Sequence, residues 1–541
     1  MEIFKFSNNK KNIILLVLLS LVALLPILTG GMFLSHDTVT HAARSAMYAN
    51  AISDGQFLPR WAEYANYGFG SPFFIFYYPL TGYTTALLYL AGMSIESSLL
   101  LISAICFVIG PVFFYLWIRK LFKSEEIAFF SSVFFLALPN RFLTLHVRGG
   151  IGELLGLSLL PLIFYCIEKF EDKKHAQTIF FLSISYALLV LSHNGVSLMF
   201  TPIILLYSAF RKGFIRTSIS LALGLLLSAF FWVPAFFEAK YTAGLHYFGD
   251  MYAEHFAPII SFIYSPWGFG PDVNKTGGLS PQIGIFGFLT VGLILYLLFK
   301  KKLQNEKRVV VFWIFCFAFG LFMATSYSDI LWRNLDFLKK FQFPWRFISV
   351  PSFAVAALSP YILLKIKNKK IVIGLITMLL LFSLQFVRVS KNINYPDSYY
   401  FAYEGSTYFH NEGTTIWSAG DPSERKQFQI ELIGGEAEIS NILKKGILHS
   451  FEINAKTPSI ILDNTIYFPG WEAYIDEKKT VIEYQDPNNR GLITFTVPEG
   501  KHQVVVKFGE TKLRLLADTL SVIGIVTFAV FGFYLWRRKN K

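Results

Sequence analysis

The sequence predicts an α-helical polytopic membrane protein of about 12 transmembrane helices with one β-sandwich-like domain outside the cytoplasm, near the C-terminus. Three observations carry this: long apolar runs, a shortage of charge, and a one-sided distribution of Lys and Arg. The 541 residues are 54% hydrophobic and only 16% charged, where a soluble globular chain carries about 25%. The net charge of +13 would suit a nucleic-acid binder. Here, however, the cations cluster in short stretches between apolar runs, so no nucleic-acid partner is expected. Cys106, Cys166 and Cys316 all lie inside apolar runs, which leaves no disulfide framework and no cysteine metal site with usable spacing.

Taken in order, the N-terminus bears lysines and is followed by an apolar run over 13–28 with no small-residue cleavage site. This reads as a retained first helix rather than a cleaved signal peptide. Apolar stretches long enough to cross a hydrocarbon core fall at 13–33, 97–118, 126–140, 152–168, 177–192, 196–210, 217–238, 283–299, 309–325, 346–364, 371–388 and 516–536. Alternating them gathers Lys5, Lys10, Lys11, Arg119, Lys120, Lys123, Lys169, Lys173, Lys174, Arg211, Lys212 and Arg216 on one side. The clusters at 300–308, 365–370 and 537–541 join them. Roughly half of the 49 basic residues then lie on the cytoplasmic side, with both termini. Counting the apolar segment 79–92 as a span would put the next six basic clusters outside, so it reads as a juxtamembrane or re-entrant helix.

Three long segments then lie outside: 34–96, 239–282 and 389–515. The predicted units are a transmembrane domain over 1–390 with outer loop 34–96, a β-rich domain over 391–515, and a terminal helix with a basic tail over 516–541. Strand-like stretches at 459–462, 492–497 and 503–508 are separated by Pro469-Gly470, Asp486-Pro487-Asn488-Asn489 and Pro498-Glu499-Gly500. The domain is expected to fold alone as an accessory module. Its Trp417, Tyr467 and Trp471 could stack on sugars or pack a core.

Every histidine except His175 falls on the outer side of this topology, and ionisable groups collect at the outer ends of spans. Polar groups at membrane depth are costly, which points to a functional site there. The first outer loop opens Ser35-His36-Asp37-Thr38-Val39-Thr40-His41. A carboxylate held at the membrane surface suits general-base work on an acceptor hydroxyl. Asp37 also precedes a helical pattern and could cap it; the two roles are compatible. His36, Asp37 and His41 could approach a divalent metal, though no third ligand is fixed. Arg141, His146, Arg148 and Glu153 surround Gly149-Gly150, and Arg346 opens another span after Phe341-Gln342-Phe343-Pro344-Trp345. Guanidinium matches phosphate geometry, so Arg148 and Arg346, with Arg141, His146, His193, His41 and Glu153 around them, are candidate ligands of an anionic headgroup. The aromatic runs at 55–61 and 68–80 read as an interfacial anchor or as the wall of a lipid-accessible cavity.

Several of these motifs resemble the bacterial and archaeal 6-pyruvoyl-tetrahydropterin synthase-related membrane family. They are His36-Asp37, His41, Gly55-x-x-x-Pro59-Arg60-Trp61, Gly68-x-Gly-x-Pro-Phe-Phe with Tyr78-Pro-Leu, Arg148-Gly-Gly-Ile-Gly-Glu153, His193-Asn194 and Gln342-Phe-Pro-Trp-Arg-Phe347. Tyr467-Phe-Pro-Gly-Trp471 and Pro498-Glu-Gly-x-His502 resemble the related YfhO-type proteins. The resemblance spans nearly the whole chain. It implies a GT-C glycosyltransferase fold, a polyprenyl-phosphate-linked sugar as donor, a glycan or polymer of the cell envelope as acceptor, and an acidic first-loop residue that maps to Asp37, with His36 beside it. The pterin chemistry in the family's name belongs to a soluble zinc enzyme, whereas these motifs sit on a membrane scaffold. The alternatives are a glycolipid transporter or flippase and a non-catalytic scaffold displaying the β-domain. A transporter more often carries charges within its spans or internal repeats; here they gather at the outer ends.

Overall fold

The computed structural model describes residues 10–172, 174–244, 249, 251–405, 414–420 and 422–539. Lys5, Lys173 and Lys541, counted above among the inner-side cations, lie outside the described residues. Helices occupy all the predicted apolar stretches. Among the described residues, seven are long and apolar enough to cross a membrane: Ile95–Phe122, Ile151–Lys169, His175–Ser192, Lys307–Ala324, Pro344–Leu363, Lys369–Phe386 and Lys512–Arg537. Two bent pairs raise the number to nine if each is one span. Asn194–Phe210 and Ile285–Phe299 are apolar but shorter. The first stretch is two helices, Lys10–Ala23 and Leu25–Gly30, the second opening at Pro26, where a missing N–H costs least.

Helix ends follow local chemistry. The Ser94 and Ser124 hydroxyls cap Ile95–Phe122 and Glu125–Leu136 by accepting the Ser97 and Ile127 N–H groups, satisfying donors that the first turn leaves open. The bent pairs are Glu125–Leu136 with Pro139–Val147, at 51°, and Phe214–Leu227 with Ala229–Phe237, at 80°. The first ends in a π turn over Leu143–Val147. Ile151–Lys169 is the central helix, 94% buried over its apolar window. Segment 79–92 forms the helix Pro79–Leu90. At 1.5 Å per residue its 12 residues reach about 18 Å, short of the roughly 30 Å core.

The C-terminal domain is two antiparallel sheets. One runs in the order Ala437–Lys445, Leu448–Ala455, Gly500–Phe508, Trp471–Ile475, Lys478–Thr480; the other is Ile430–Gly434, Ser459–Ile466, Leu492–Val497. Alternation along Leu448–Ala455 and Gly500–Phe508 turns Phe451, Ile453, Val504 and Val506 inward. The domain does not complete this core alone. Trp61, Phe69 and Ile75 of the outer loop are buried in the same apolar cluster, and Trp61 meets Trp471 edge to face with ring centroids 5.2 Å apart. Trp61 of the run at 55–61 therefore fills the β-domain core, while Phe57 of the same run is 85% exposed. Trp471, 4% exposed, is likewise core and presents no face to a sugar.

Charged ties flank the junction. Arg60 bonds Asp518 at 2.6 Å, Glu510 at 3.3 Å and the Phe230 carbonyl at 3.0 Å. The fully buried Arg514 holds the Glu238 carboxylate at 3.1–3.2 Å. A guanidinium buried this way needs a partner for each face of its fork, and both have them.

Candidate functional site

The helix Leu25–Gly30 leads into Phe33–Leu34, paired with Lys391–Asn392, and then into the helix Thr38–Ser53. Asp37 stands at its N-cap position, yet no side-chain capping bond forms. Ser35 takes that role, its hydroxyl accepting the Thr38 N–H at 3.1 Å and the Asp37 N–H at 3.3 Å. Among the described residues the Asp37 carboxylate accepts no hydrogen bond and makes no ion pair.

The loop after the π turn docks against this start. The Val147 and Arg148 carbonyls accept the His36 and Asp37 N–H groups at 3.1 and 3.0 Å. Gly149 follows at φ +65°, and a Cβ there would overlap the Ser35 hydroxyl and Thr38. Only glycine allows that backbone approach. Arg148 ion-pairs with Glu153 in the first turn of Ile151–Lys169, both side chains buried, and its guanidinium lies 4.7 Å from the centre of the Trp345 ring. The next residue, Arg346, donates to the Phe341 carbonyl at 3.2 Å and sits over the Phe343 ring at 5.0 Å. Its Nε is buried with no partner, and the chain provides it no ion pair among the described residues. Arg148 and Arg346 each interact electrostatically with Asp37.

His193 caps Asn194–Phe210 by accepting the Val196 N–H at 3.2 Å on Nδ1, and its Nε2 is 3.9 Å from the Glu153 carboxylate. The Tyr78 ring lies 5.0 Å from that imidazole, over Gly152, where a Cβ would run into Tyr78 and the Ser192 carbonyl. The Tyr77 hydroxyl donates to that of Tyr78 at 2.6 Å and is 3.5 Å from His41 Nδ1; Arg44 stacks on the Tyr77 ring at 3.8 Å. Burial pushes the His41 imidazole down to about 4 and lowers that of His36. Neutral His36 can then donate Nε2–H to the Phe269 carbonyl, 2.9 Å away.

The structure thus brings Asp37, His36, His41, Arg148, Glu153, His193 and Arg346 into one cluster. It does not bring Arg141 and His146 there. Arg141 donates to the Phe107 carbonyl at 2.6 Å between the Phe107 and Phe135 rings, and His146 Nδ1 is bonded to the Phe386 carbonyl at 3.0 Å. Both serve helix packing. The π turn over Leu143–Val147 lies between Arg141 and Arg148, which at seven residues apart would share a face of a regular helix. Tyr77, Tyr78, Arg44 and Trp345 join the cluster without having been singled out. The Tyr-Tyr-Pro run was a signal for the first two, masked by its resemblance to an interfacial belt.

A metal was open from the spacing of His36, Asp37 and His41. The side chains do not fit one: His36 is committed to a carbonyl, His41 turns toward Tyr77, and no three His, Cys, Asp or Glu side chains converge among the described residues. What the cluster offers is an unpaired carboxylate beside two guanidiniums, one with an unused buried donor, at the ends of several helices. Such a set can hold an anionic group and accept a proton next to it.

Comparison with known proteins gives the same class. The chain is 24% identical over 338 residues to an uncharacterized protein of Lactococcus lactis subsp. cremoris (strain MG1363), a stretch that is 59% of this chain and 54% of that one. The chain therefore spans about half the length of this relative. The family model described as 6-pyruvoyl-tetrahydropterin synthase related domain, a membrane protein, matches residues 74–395. That stretch holds Tyr77, Tyr78, Arg148, Glu153, His193 and Arg346 and begins after Asp37 and His41. The chain belongs to the 6-pyruvoyl-tetrahydropterin synthase related family of membrane proteins.

Proposed function

We propose that this membrane protein is an extracytoplasmic glycosyltransferase of GT-C type, with about 12 spans, both termini cytoplasmic and the β-domain outside. It transfers a sugar from a polyprenyl-phosphate donor to a glycan or polymer of the cell envelope. The observation that supports this most directly is Arg346, a half-buried guanidinium whose Nε is buried without a partner, within electrostatic reach of the Asp37 carboxylate. A buried donor left without a partner costs about 1–3 kcal/mol, and a phosphate satisfies it with the geometry guanidinium prefers.

In this reading Arg148 and Arg346 bind the donor phosphate, Glu153 and Trp345 orient Arg148, and His193 orients Glu153. The acceptor hydroxyl gives its proton to Asp37 as its oxygen bonds the anomeric carbon. The bond from that carbon to the phosphate oxygen breaks, and the polyprenyl phosphate leaves as an anion held by the two arginines. Lipid-linked sugar profiles of a deletion strain, complemented with wild-type or Asp37→Asn protein, test the reading. Accumulated donor with the empty vector and with Asp37→Asn, but not with wild-type, is expected. Equal profiles for the two complemented strains would end it.

A further inference from the structure

The described residues hold a second aromatic cluster, separate in sequence from the Asp37 loop. Tyr467 and Tyr484 stack face to face at 3.9 Å, 1° from parallel. Trp417 meets them edge-on at 5.4 and 5.1 Å and stacks on Tyr241 at 5.6 Å. All four residues stay partly exposed, Tyr241 and Tyr467 packing in part against the β-domain core, unlike the neighbouring core residues Phe468 and Trp471, which are 0% and 4% exposed. Aromatic rings left at the surface in a group carry a hydration cost that a ligand face removes.

The backbone fixes these rings. Tyr467 N–H bonds the Gly491 carbonyl and Gly491 N–H the Tyr484 carbonyl, both at 2.7 Å, while Ile416 N–H bonds the Tyr241 carbonyl at 3.1 Å. One Asp486 oxygen accepts the Asn488 and Asn489 N–H groups and the Asn489 amide at 2.9–3.0 Å, which stiffens the loop after Tyr484. On that loop Gln485, Asn488 and Arg490 are exposed. Rigid aromatic faces rimmed by amide and guanidinium donors match a pyranose, whose polarised C–H face packs on an electron-rich ring while its hydroxyls need polar partners. Pre-organised rings also lose little freedom on binding.

The cluster is joined to the polar site through two further rings. Tyr241 meets Phe468 at 6.1 Å and Phe468 meets Phe76 at 5.9 Å, and Tyr77 and Tyr78 follow Phe76 directly. We infer that Tyr241, Trp417, Tyr467 and Tyr484 form a carbohydrate-binding platform that holds the acceptor glycan. The acceptor role rests on the glycosyltransferase reading; carbohydrate binding itself does not.

The test uses the full chain in nanodiscs with three probes: tetrasaccharides of β-1,4-linked glucose, β-1,4-linked N-acetylglucosamine and α-1,4-linked glucose. Saturation-transfer NMR and tryptophan fluorescence report binding. At least one probe is expected to bind, with affinity falling tenfold or more in Trp417→Ala and Tyr484→Ala and less in Trp417→Phe, which keeps a ring and guards against misfolding. No binding to the wild-type, or equal binding by the wild-type and both alanine variants, overturns the platform. Asp37→Asn should bind the probe as wild-type does. If it binds and also transfers sugar normally, the enzyme reading falls and the platform stands; if it is inactive while no probe binds the wild-type, the platform alone falls.

Discussion

The backbone N–H of Asp37 donates to the carbonyl of Arg148 at 3.0 Å, so the two residues read as base and phosphate ligand are fixed to each other through main chain rather than through their side chains. The Asp37 carboxylate is thereby left for substrate while the Arg148 guanidinium keeps its pair with Glu153, and changing one need not displace the other.

That arrangement separates catalysis from capping. Asp37→Asn is expected to lower transfer from a radiolabelled polyprenyl-phosphate sugar by about 10²–10⁴-fold with abundance unchanged. Ser35→Ala, which removes the hydroxyl that caps Thr38–Ser53, is expected to cost about 1 kcal/mol of stability. A fully active Asp37→Asn protein would remove the base.

Arg346→Lys should weaken donor binding about 10–100-fold, the loss of a charge-assisted bond of about 1.5–3 kcal/mol. Arg346 pairs with no carboxylate among the described residues, so protein level should hold. Arg148→Lys should weaken donor binding and also lower protein level, since it disturbs the buried Glu153. Unaltered donor affinity in both variants, read by fluorescent-donor titration, would speak against a phosphate role.

Stability should fall in acid, with His41 contributing. Its folded value near 4 lies below the unfolded value of about 6.5, so the unfolded chain binds more protons below pH 6.5. The stability is whole above 6.5 and declines toward pH 4, by up to about 1.4 kcal/mol per pH unit. Melting curves from pH 7.5 to 5 should be flatter for His41→Gln; identical slopes would discount the assignment.

Trp61→Ala should destabilise the β-domain by about 3–5 kcal/mol, although it changes a residue of the transmembrane half. Segment 391–515 expressed alone should show the broad near-UV signal of an incompletely packed core. A sharp, cooperative melt of that fragment would contradict the shared core.

A cysteine placed at Gln304 should resist a membrane-impermeant thiol reagent in intact cells, while one at Lys478 should react. The native cysteines are buried and give little background. Labelling at 304 would reverse the topology and the side assigned to Asp37.

Much of the fold was legible because span length and charge asymmetry are local properties. The apolar stretches, the short helix after Pro79 and the strands at 459–462, 492–497 and 503–508 all show in the period and length of side chains. The site was legible residue by residue where a charge stood at an outer helix end, as with Asp37, Glu153 and Arg346. It was not legible where neighbours in sequence diverge in space. Arg141, His146 and Arg148 look equivalent until the π turn directs two of them into the bundle. Trp61 reads as a membrane-interface residue because its partner Trp471 lies 410 positions along the chain, a pairing no local pattern encodes.

The Arg60 ties set an order on biosynthesis. Arg60 and Asp518 are 458 residues apart, which at about 5–20 residues per second is roughly half a minute to a minute and a half of translation. Throughout that interval the loop bearing Arg60 waits unfinished, its guanidinium without its carboxylates and its Trp61 without a sheet to enter. Assembly of the outer face therefore finishes only when the last helix inserts. That makes the final segment a checkpoint, since a ribosome that stops before Asp518 leaves an unfinished site hundreds of residues upstream, open to surveillance proteases.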